Sequence, residues 1–283
     1  MVLVIAISSF ATTSARAAST LSFSAIPDED ATKLRERFDK VARYLSDRLA
    51  IPVRYVPVKS YGAAVTAFRN GQIQLAWFGG LSGVQARQAV EGSLALAQGE
   101  EDLAFVTYFI ANASTGLAAD AETLPDTVAG RTFTFGAKTS TSGRLMPEFH
   151  LRQRFGRAPE EVFARVAFSG DHTKTVELVE SGAFDIGAVN YTVFDDMVSK
   201  GKVDTAKVRV VWRTPPYPDY NWTVRGDVDQ TFGAGFAERI REALISMSDP
   251  DLLASFPRRR FVRASNADYD PIAAVARQIG ILD

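Results

Sequence analysis

Two segments of the chain, residues 65–77 and 176–188, are built alike. Each begins with apolar residues at helical spacing, stops at a glycine (Gly71 or Gly182), and continues into an apolar run with strand character. Similar helix and strand patterns alternate along much of the sequence. Strands that alternate with helices form mostly parallel sheets flanked by helices. The sequence therefore predicts an α/β fold with two lobes of like build.

The chain is predicted to pass twice between these lobes. Two extended passages, near Ile110–Ser114 and Arg209–Thr214, have the character of connecting strands. The first lobe then comprises residues 19–111 and 213–283, and the inserted second lobe comprises residues 112–212. Two lobes joined by a two-strand hinge are typical of proteins that close around a ligand.

The N-terminal segment has the pattern of an export signal. Val2–Phe10 is apolar, and the following segment ends in the Ala-x-Ala pattern Ala15–Ala17. We predict that residues 1–18 are removed by cleavage near Ala17 or Ala18. The apolar run is shorter than the about 20 residues that a membrane-spanning helix needs. Because the chain contains no cysteine, the exported protein depends on its packed core rather than on disulfides.

Charge and composition exclude several classes of function. The formal net charge is −1, and the only basic cluster is Arg258–Arg260, so a nucleic-acid-binding surface is not expected. The two histidines, His150 and His172, are accompanied by no cysteine and no clustered carboxylates. The spacing of metal ligands is therefore absent from the sequence, and no metal or cofactor is predicted.

The loop Ser140-Thr141-Ser142-Gly143 is the main candidate for a binding site. It follows a strand-like run, residues 131–136, and precedes an apolar-periodic run. The first N–H groups of a helix lack intrahelical partners and carry the positive end of its dipole. Hydroxyl groups add neutral donors, and Gly143 lets the backbone approach an oxyanion. On these residues alone an ordinary helix cap is the alternative interpretation.

Other helix starts supply further candidate donors. Tyr61 and His172 each begin a predicted helix, and an imidazole at such a place stays neutral and offers one donor. A surface histidine beside a cap is the alternative for His172. Phe78 follows a buried strand and is a candidate for the cleft wall. Asp219, in the proline-rich 215–222 loop, would accept a hydrogen bond from a protonated ligand. We expect these helix starts to meet in one cleft.

A catalytic interpretation is the weaker alternative. Ser140 or Ser142 with His172 and Asp171 has the residue types of a catalytic triad. However, the adjacent residues Asp171 and His172 point in different directions on a helix turn. The sequence also lacks the Gly-x-Ser-x-Gly elbow of many hydrolases. We therefore predict a binding protein rather than an enzyme.

Taken in order, these motifs resemble the phosphonate/phosphite-type substrate-binding proteins of ABC transporters. The resemblance runs over residues 21–282. It is carried by the following motifs: Tyr61 in Ser-Tyr-Gly-Ala-Ala-Val, Ala76–Gly79, Ser140–Gly143, Ser169–His172 and Pro215–Tyr220. It implies the two-lobed, type II periplasmic fold and delivery of an oxyanion to a membrane permease.

The resemblance also implies a role for each candidate residue. Ser140–Ser142 would grip the ligand oxygens with hydroxyl and N–H groups, and Tyr61 and His172 would add donors. Asp219 would accept a hydrogen bond from a protonated ligand oxygen. Because the alignment within its loop can slip by one residue, Tyr220 is the alternative for that position.

The resemblance further narrows the ligand. Aminophosphonate binders of the family place a carboxylate where this chain has Asn190-Tyr191-Thr192, so an amine-bearing ligand is not expected. A small oxyanion such as phosphite, methylphosphonate or selenate fits better. Relatives that sense arsenite rely on a cysteine, which this chain lacks. We predict a monomeric periplasmic carrier for an ABC importer. The alternative is a periplasmic sensor module that reports to a histidine kinase.

Overall fold

The fold is described by a computed structural model that covers residues 19–29 and 31–282, apart from the side chains of Ala31 and Lys33. The predicted export signal, residues 1–18, lies outside this range. Asp30, one of two predicted caps of the first helix, also lies outside it. Within the described ranges, no helix is long and apolar enough to cross a membrane.

Strands and helices alternate along the described chain, as the sequence predicts. The strands are β1 (Leu21–Ala25), β2 (Val53–Tyr55), β3 (Leu75–Phe78), β4 (Leu94–Gly99), β5 (Thr107–Asn112), β6 (Thr132–Phe135), β7 (Arg165–Phe168), β8 (Ile186–Asn190), β9 (Val208–Arg213), β10 (Asn221–Val224) and β11 (Phe261–Arg263). The α-helices are α1 (Ala31–Leu49), α2 (Tyr61–Arg69), α3 (Gly80–Ala89), α4 (Met146–Phe155), α5 (Pro159–Val162), α6 (His172–Glu180), α7 (Tyr191–Ser199), α8 (Val228–Phe232), α9 (Phe236–Ile245), α10 (Pro250–Leu253) and α11 (Asp270–Gln278).

The strands form two sheets, one for each lobe. The six-stranded sheet has the order β11-β4-β10-β3-β1-β2, and the five-stranded sheet has the order β7-β6-β8-β5-β9. In the first sheet β1 is parallel to β2 and β3, whereas β10 is antiparallel to β3 and β4. In the second sheet β6 is parallel to β7 and β8, whereas β5 is antiparallel to β8 and β9. The two-lobed α/β prediction is confirmed. The first sheet takes strands from both ends of the chain.

The crossings between the sheets lie elsewhere than predicted. The segments near Ile110–Ser114 and Arg209–Thr214 are not connectors, because β5 and β9 pair with each other inside the second sheet. The boundary predicted after residue 111 consequently falls within β5. The chain passes between the sheets at Phe105 and Tyr217, which exchange two backbone hydrogen bonds of 2.9 Å each.

In each lobe, a helix that ends at a glycine leads into an interior strand of the sheet. Gly71 follows α2 and Gly182 follows α6, and their φ angles of 72° and 75° are ones that L side chains rarely adopt. Each glycine ends its helix and returns the chain to an interior strand, β3 or β8. The two segments that are similar in sequence therefore share one structure, a helix, a glycine and then a strand, and each lobe contains one of them.

Aromatic packing fixes the edge of the first sheet that faces the second lobe. The ring of Trp77, near the end of β3, stacks on that of Tyr220 with centroids 5.4 Å apart. It also meets Trp222, Phe256 and Phe261 at 5.3–5.6 Å. Rings in such arrangements stabilise beyond the area that they bury. This cluster holds the end of β3 beside the loop that precedes β10.

Candidate functional site

The hydroxyl loop forms a π-helical turn ahead of α4. The turn spans Thr141–Leu145, and Ser140 caps it by accepting a hydrogen bond from the Gly143 N–H at 2.9 Å. Pro147 follows in the first turn of α4, where its missing N–H costs no helical bond. Ser140 therefore acts as a helix cap. The hydroxyls of the next two residues remain available for other contacts.

A glycine is needed at position 143 because atoms of three residues pack closely against it. A Cβ atom at this position would lie 3.1 Å from the Gly136 Cα, 3.1 Å from the His172 Cε1 and 3.0 Å from the Ser140 Oγ. The Gly136 N–H donates to the Gly143 carbonyl at 2.7 Å. The glycine therefore lets the end of β6 and the imidazole lie directly against the turn.

His172 presents one neutral donor to this turn. It is fully buried as the first residue of α6, and its Nδ1 accepts a hydrogen bond from the Asn190 N–H at 3.2 Å. The ring proton of the neutral imidazole therefore lies on Nε2, which is 3.5 Å from the Ser142 Oγ. Burial lowers the pKa of His172 to about 3, so the ring stays uncharged near neutral pH.

The same contacts are unsuited to a catalytic triad. The Asp171 carboxylate accepts from the Lys174 N–H at 2.7 Å and caps α6 instead of meeting the imidazole. With its proton on Nε2, His172 has no lone pair there to accept the proton of Ser142. The triad alternative is therefore not supported by the geometry.

The first lobe contributes two buried oxygens without partners. Asp219 Oδ1 accepts a hydrogen bond from the Gly80 N–H at 2.8 Å, at the start of α3. Asp219 Oδ2 and the hydroxyl oxygen of Tyr61 have no hydrogen-bond partner within the described residues. Burial raises the pKa of Asp219 to about 7 and that of Tyr61 well above its usual value. Unpartnered buried oxygens are rare in folded proteins, and these two indicate a place for a ligand.

Thr141, in the second lobe, makes a direct contact with the first lobe. Its hydroxyl oxygen accepts a hydrogen bond from the Leu81 N–H of the first lobe at 3.0 Å. Gly79 lies against both faces, because a Cβ there would be 3.2 Å from Asp219 Oδ1 and 3.3 Å from Thr141 Oγ1. Tyr61 joins the same group, since the Asp219 carboxylate and the Ser140 hydroxyl both act on its pKa. The predicted meeting of helix starts is therefore present.

Two other predicted contact residues are engaged elsewhere. The ring of Phe78 packs in the core against Phe68, with centroids 5.7 Å apart. The hydroxyl of Tyr220 donates to Asp28 Oδ2 at 2.9 Å and accepts from the Asn190 side-chain amide at 2.9 Å. Of the two candidates in the late loop, Asp219 alone has a free acceptor oxygen. Ligand contact by any of these residues stays a prediction.

Sequence reasoning missed several polar residues at the site. Thr107 donates to the Ser142 carbonyl at 2.9 Å and contacts the hydroxyl of Tyr217. Asn190 and Asp28 each share a hydrogen bond with His172. Thr107 opens β5 and Asn190 closes β8, so the available signal was a polar residue at the end of an apolar strand. No cluster of three metal-ligating side chains occurs in the described part of the chain.

The two-lobed α/β fold is that of the periplasmic substrate-binding proteins. The family model described as "ABC transporter, phosphonate, periplasmic substrate-binding protein" matches residues 23–269. The chain belongs to this family of ABC-transporter components.

Similar proteins agree with this assignment. The chain is 36% identical over 265 residues to the "Probable ABC transporter phosphite binding protein PhnD1" of Prochlorococcus marinus MIT 9301, covering 92% of this chain and 89% of that protein. The solved structure of PhnD1 with methylphosphonate superposes with a TM-score of 0.87 at 35% identity, covering 93% and 99% of the two chains. A phosphonate-transporter binding component from Pseudomonas aeruginosa matches with a TM-score of 0.77 at 16% identity, over 91% and 85%, which shows the shared fold alone. These findings confirm the predicted family. They support neither the selenate ligand nor the sensor alternative.

Proposed function

We propose that this protein captures a small phosphorus oxyanion, phosphite or methylphosphonate, and hands it to the permease of an ABC importer. The observation that carries the proposal is the pair of unpartnered buried oxygens on Tyr61 and Asp219, which face the donors of the second lobe. The ligands named for the similar PhnD1 proteins, phosphite and methylphosphonate, have the matching chemistry.

Neutral donors would bind the anionic oxygens. These donors are the hydroxyls of Ser140–Ser142, the N–H groups of Thr141 and Ser142, the Nε2–H of His172 and the hydroxyl of Tyr61. Donors that are fixed in advance stabilise an anion without the desolvation cost of a buried cation. We propose that the ligand oxygens take the place of the partners that these groups lack.

Asp219 would select a ligand that carries a proton. Its Oδ2 can accept a hydrogen bond from a P–OH group, whereas a fully deprotonated oxygen would place lone pairs against it. Sulfate and selenate carry no proton near neutral pH and would be rejected on this ground. We further propose that an amine-bearing phosphonate is excluded, because Asn190-Tyr191-Thr192 supplies no carboxylate.

The protein would act as an exported monomer that binds without turnover. Cleavage near Ala17 or Ala18 would release the carrier into the periplasm, where it loads its ligand and docks on the permease. The neutral Nε2–H of His172 suits an anion-binding role and not that of a general base.

Thermal-shift and calorimetric titrations test the proposal directly. The panel is phosphite, methylphosphonate, phosphate, 2-aminoethylphosphonate, sulfate and selenate at equal concentration. A ligand present at 100 times its Kd adds about 2.7 kcal/mol to the free energy of unfolding. We expect stabilisation by phosphite or methylphosphonate and none by sulfate or selenate. Equal stabilisation by sulfate, or none by either phosphorus ligand, would contradict the proposal.

A further inference from the structure

Four residues form a closed circuit of hydrogen bonds between the lobes. The His172 backbone N–H donates to the Asp28 carbonyl at 3.1 Å, and the Asn190 N–H donates to His172 Nδ1 at 3.2 Å. The Asn190 side-chain amide donates to the Tyr220 hydroxyl at 2.9 Å, which donates in turn to Asp28 Oδ2 at 2.9 Å. Asp28 and Tyr220 belong to the first lobe, and His172 and Asn190 belong to the second.

Each member of the circuit is held by a rigid element. Asp28 follows β1, and the ring of Tyr220 stacks on Trp77. His172 opens α6, and Asn190 ends β8 while its side-chain oxygen caps α7. Two of the four bonds cross from one lobe to the other. Those two bonds require the two lobes to lie against each other.

The circuit surrounds very little free space. A small cavity of about 20 Å³, lined by Asp28, Asn190 and Tyr220 among others, adjoins it. That volume is about what a single water molecule occupies. The half-buried carboxylate of Asp28 accepts a hydrogen bond from the Tyr220 hydroxyl across this space.

We infer that this circuit makes Asp28 and Tyr220 positioning residues for ligand capture, because it holds the lobes closed and fixes the proton of His172 on Nε2. The inference rests on the proposed function. It differs from ligand contact, since the Tyr220 hydroxyl is occupied on both sides and offers nothing to the oxyanion.

The charge of Asp28 gives the inference a distinctive signature. Burial and the nearby Glu29 raise the pKa of Asp28 to about 7, while the Tyr220 hydroxyl and Arg37 lower it. The charge of Asp28 also acts on the pKa of Tyr55 and Tyr61. Without the Tyr220 hydroxyl, closing the lobes would bury a carboxylate that has lost its partner. That cost disappears if the carboxylate is also made neutral.

A rescue experiment follows from this signature. Calorimetric titration with phosphite and with methylphosphonate would compare the wild type, Tyr220→Phe, Asp28→Asn and the double variant. We expect Tyr220→Phe to weaken binding about 5- to 100-fold, mainly through faster ligand release. Asp28→Asn alone should weaken binding less than Tyr220→Phe, because its side-chain oxygen still accepts from Tyr220. The double variant should recover most of the loss.

Tyr44→Phe is the matched control. The Tyr44 hydroxyl donates to the Ala243 carbonyl at 2.6 Å, a bond that lies within the first lobe. Losing it should lower the denaturation midpoint of the ligand-free protein without changing affinity. Tyr220→Phe should weaken the affinity without lowering the denaturation midpoint of the ligand-free protein. Unchanged affinity in Tyr220→Phe, or no recovery in the double variant, would overturn the inference.

Lobe closure provides a second readout that needs no ligand affinity. Because the sequence has no cysteine, a spin-label pair at Glu36→Cys and Arg157→Cys, exposed positions in the two lobes, reports one distance. We expect Tyr220→Phe to lower the closed fraction with and without ligand, and Asp28→Asn to restore it. Identical distance distributions in all variants would refute the inference. Failure of the wild type to bind either ligand would contradict the proposed function, and the ligand-free distances would still test the circuit.

Discussion

The two faces that meet around Thr141 differ in their chemistry. The second-lobe face offers neutral donors, with Thr141 and Ser142 on a π-helical turn and His172 at the start of α6. The first-lobe face offers Asp219 and Tyr61, each with an oxygen that lacks a partner. Under the proposed function, the attraction of an anion and the recognition of its proton would therefore lie in separate lobes.

The largest expected effect comes from disturbing the donor face. Gly143→Ala would force a Cβ within 3.1 Å of both the Gly136 Cα and the His172 Cε1. Overpacking of this kind costs about 1–3 kcal/mol, so we expect phosphite affinity to fall by up to about 100-fold. Titration calorimetry measures the loss. Gly62→Ala is the control, because no atom lies within 4 Å of its added Cβ. An equal loss in the control would mean that the packing of the turn is irrelevant.

Asp219→Asn tests the first-lobe face. It should lower the affinity for the ligand and raise the stability of the ligand-free protein. A hydrogen bond to a charged group contributes about 1.5–3 kcal/mol, so affinity for a protonated oxyanion should fall about 10- to 100-fold. The ligand-free variant should be more stable at pH 7, since it no longer buries a carboxylate with an unpartnered oxygen. Calorimetry and urea unfolding measure the two effects. A variant that loses both affinity and stability would assign Asp219 a purely structural role.

The pH dependence of stability sharpens the same comparison. Because burial raises the pKa of Asp219 from 3.8 to about 7, the folded protein binds more protons than the unfolded chain between these values. The contribution of Asp219 to the free energy of unfolding should therefore be highest below pH 4 and decline as pH rises toward 7. This contribution should decline by at most roughly 1.4 kcal/mol per pH unit. The decline should be shallower in Asp219→Asn. Parallel curves for the two proteins would contradict the raised pKa.

Tyr61→Phe should produce a smaller effect that is confined to binding. The hydroxyl has no partner within the described residues, so its removal should leave the ligand-free protein at least as stable. We expect the affinity to fall about tenfold, the lower end of the contribution of a hydrogen bond to a charged oxygen. Thermal unfolding without ligand and calorimetry with phosphite separate the two quantities. Lower ligand-free stability with unchanged affinity would show that Tyr61 faces no ligand.

The smallest expected effect is the absence of an imidazole titration. With its pKa lowered to about 3 by burial, His172 should remain neutral and carry its proton on Nε2 from pH 5 to pH 8. Nitrogen-15 NMR of the ring distinguishes the two tautomers and the charged form. A protonation midpoint between pH 5 and 8 would show that the donor face becomes cationic, which would remove the contrast with the first lobe.

Features with local causes were predictable from the sequence. The helix start at Tyr61 and the stop at Gly71 match the structure because apolar periodicity and turn residues determine them locally. The helix α7 was not predicted. It begins after Asn190, whose side chain caps it by accepting from the Thr192 N–H at 2.8 Å.

Features with distant causes were not predictable. The strand β10 is four residues long and follows a proline-rich loop, and its place depends on pairing with β3 and β4. Asp28 was not identified as a site residue, because its carbonyl accepts from the N–H of His172, which lies far along the chain. For the site, the residue types of the donor loop and His172 were identifiable in sequence. The tautomer of His172 and the free oxygen of Asp219 depend on contacts that only the assembled lobes create.

The position of β10 bears on how the exported chain matures. In the first sheet β10 lies between β3 and β4, so these two share no backbone ladder until residues 221–224 have emerged. The five-stranded sheet, in contrast, is encoded by one uninterrupted stretch and is complete at Arg213. In chain order, all strands of the second sheet are therefore present before the first sheet receives its interior strand β10, in the last quarter of the polypeptide.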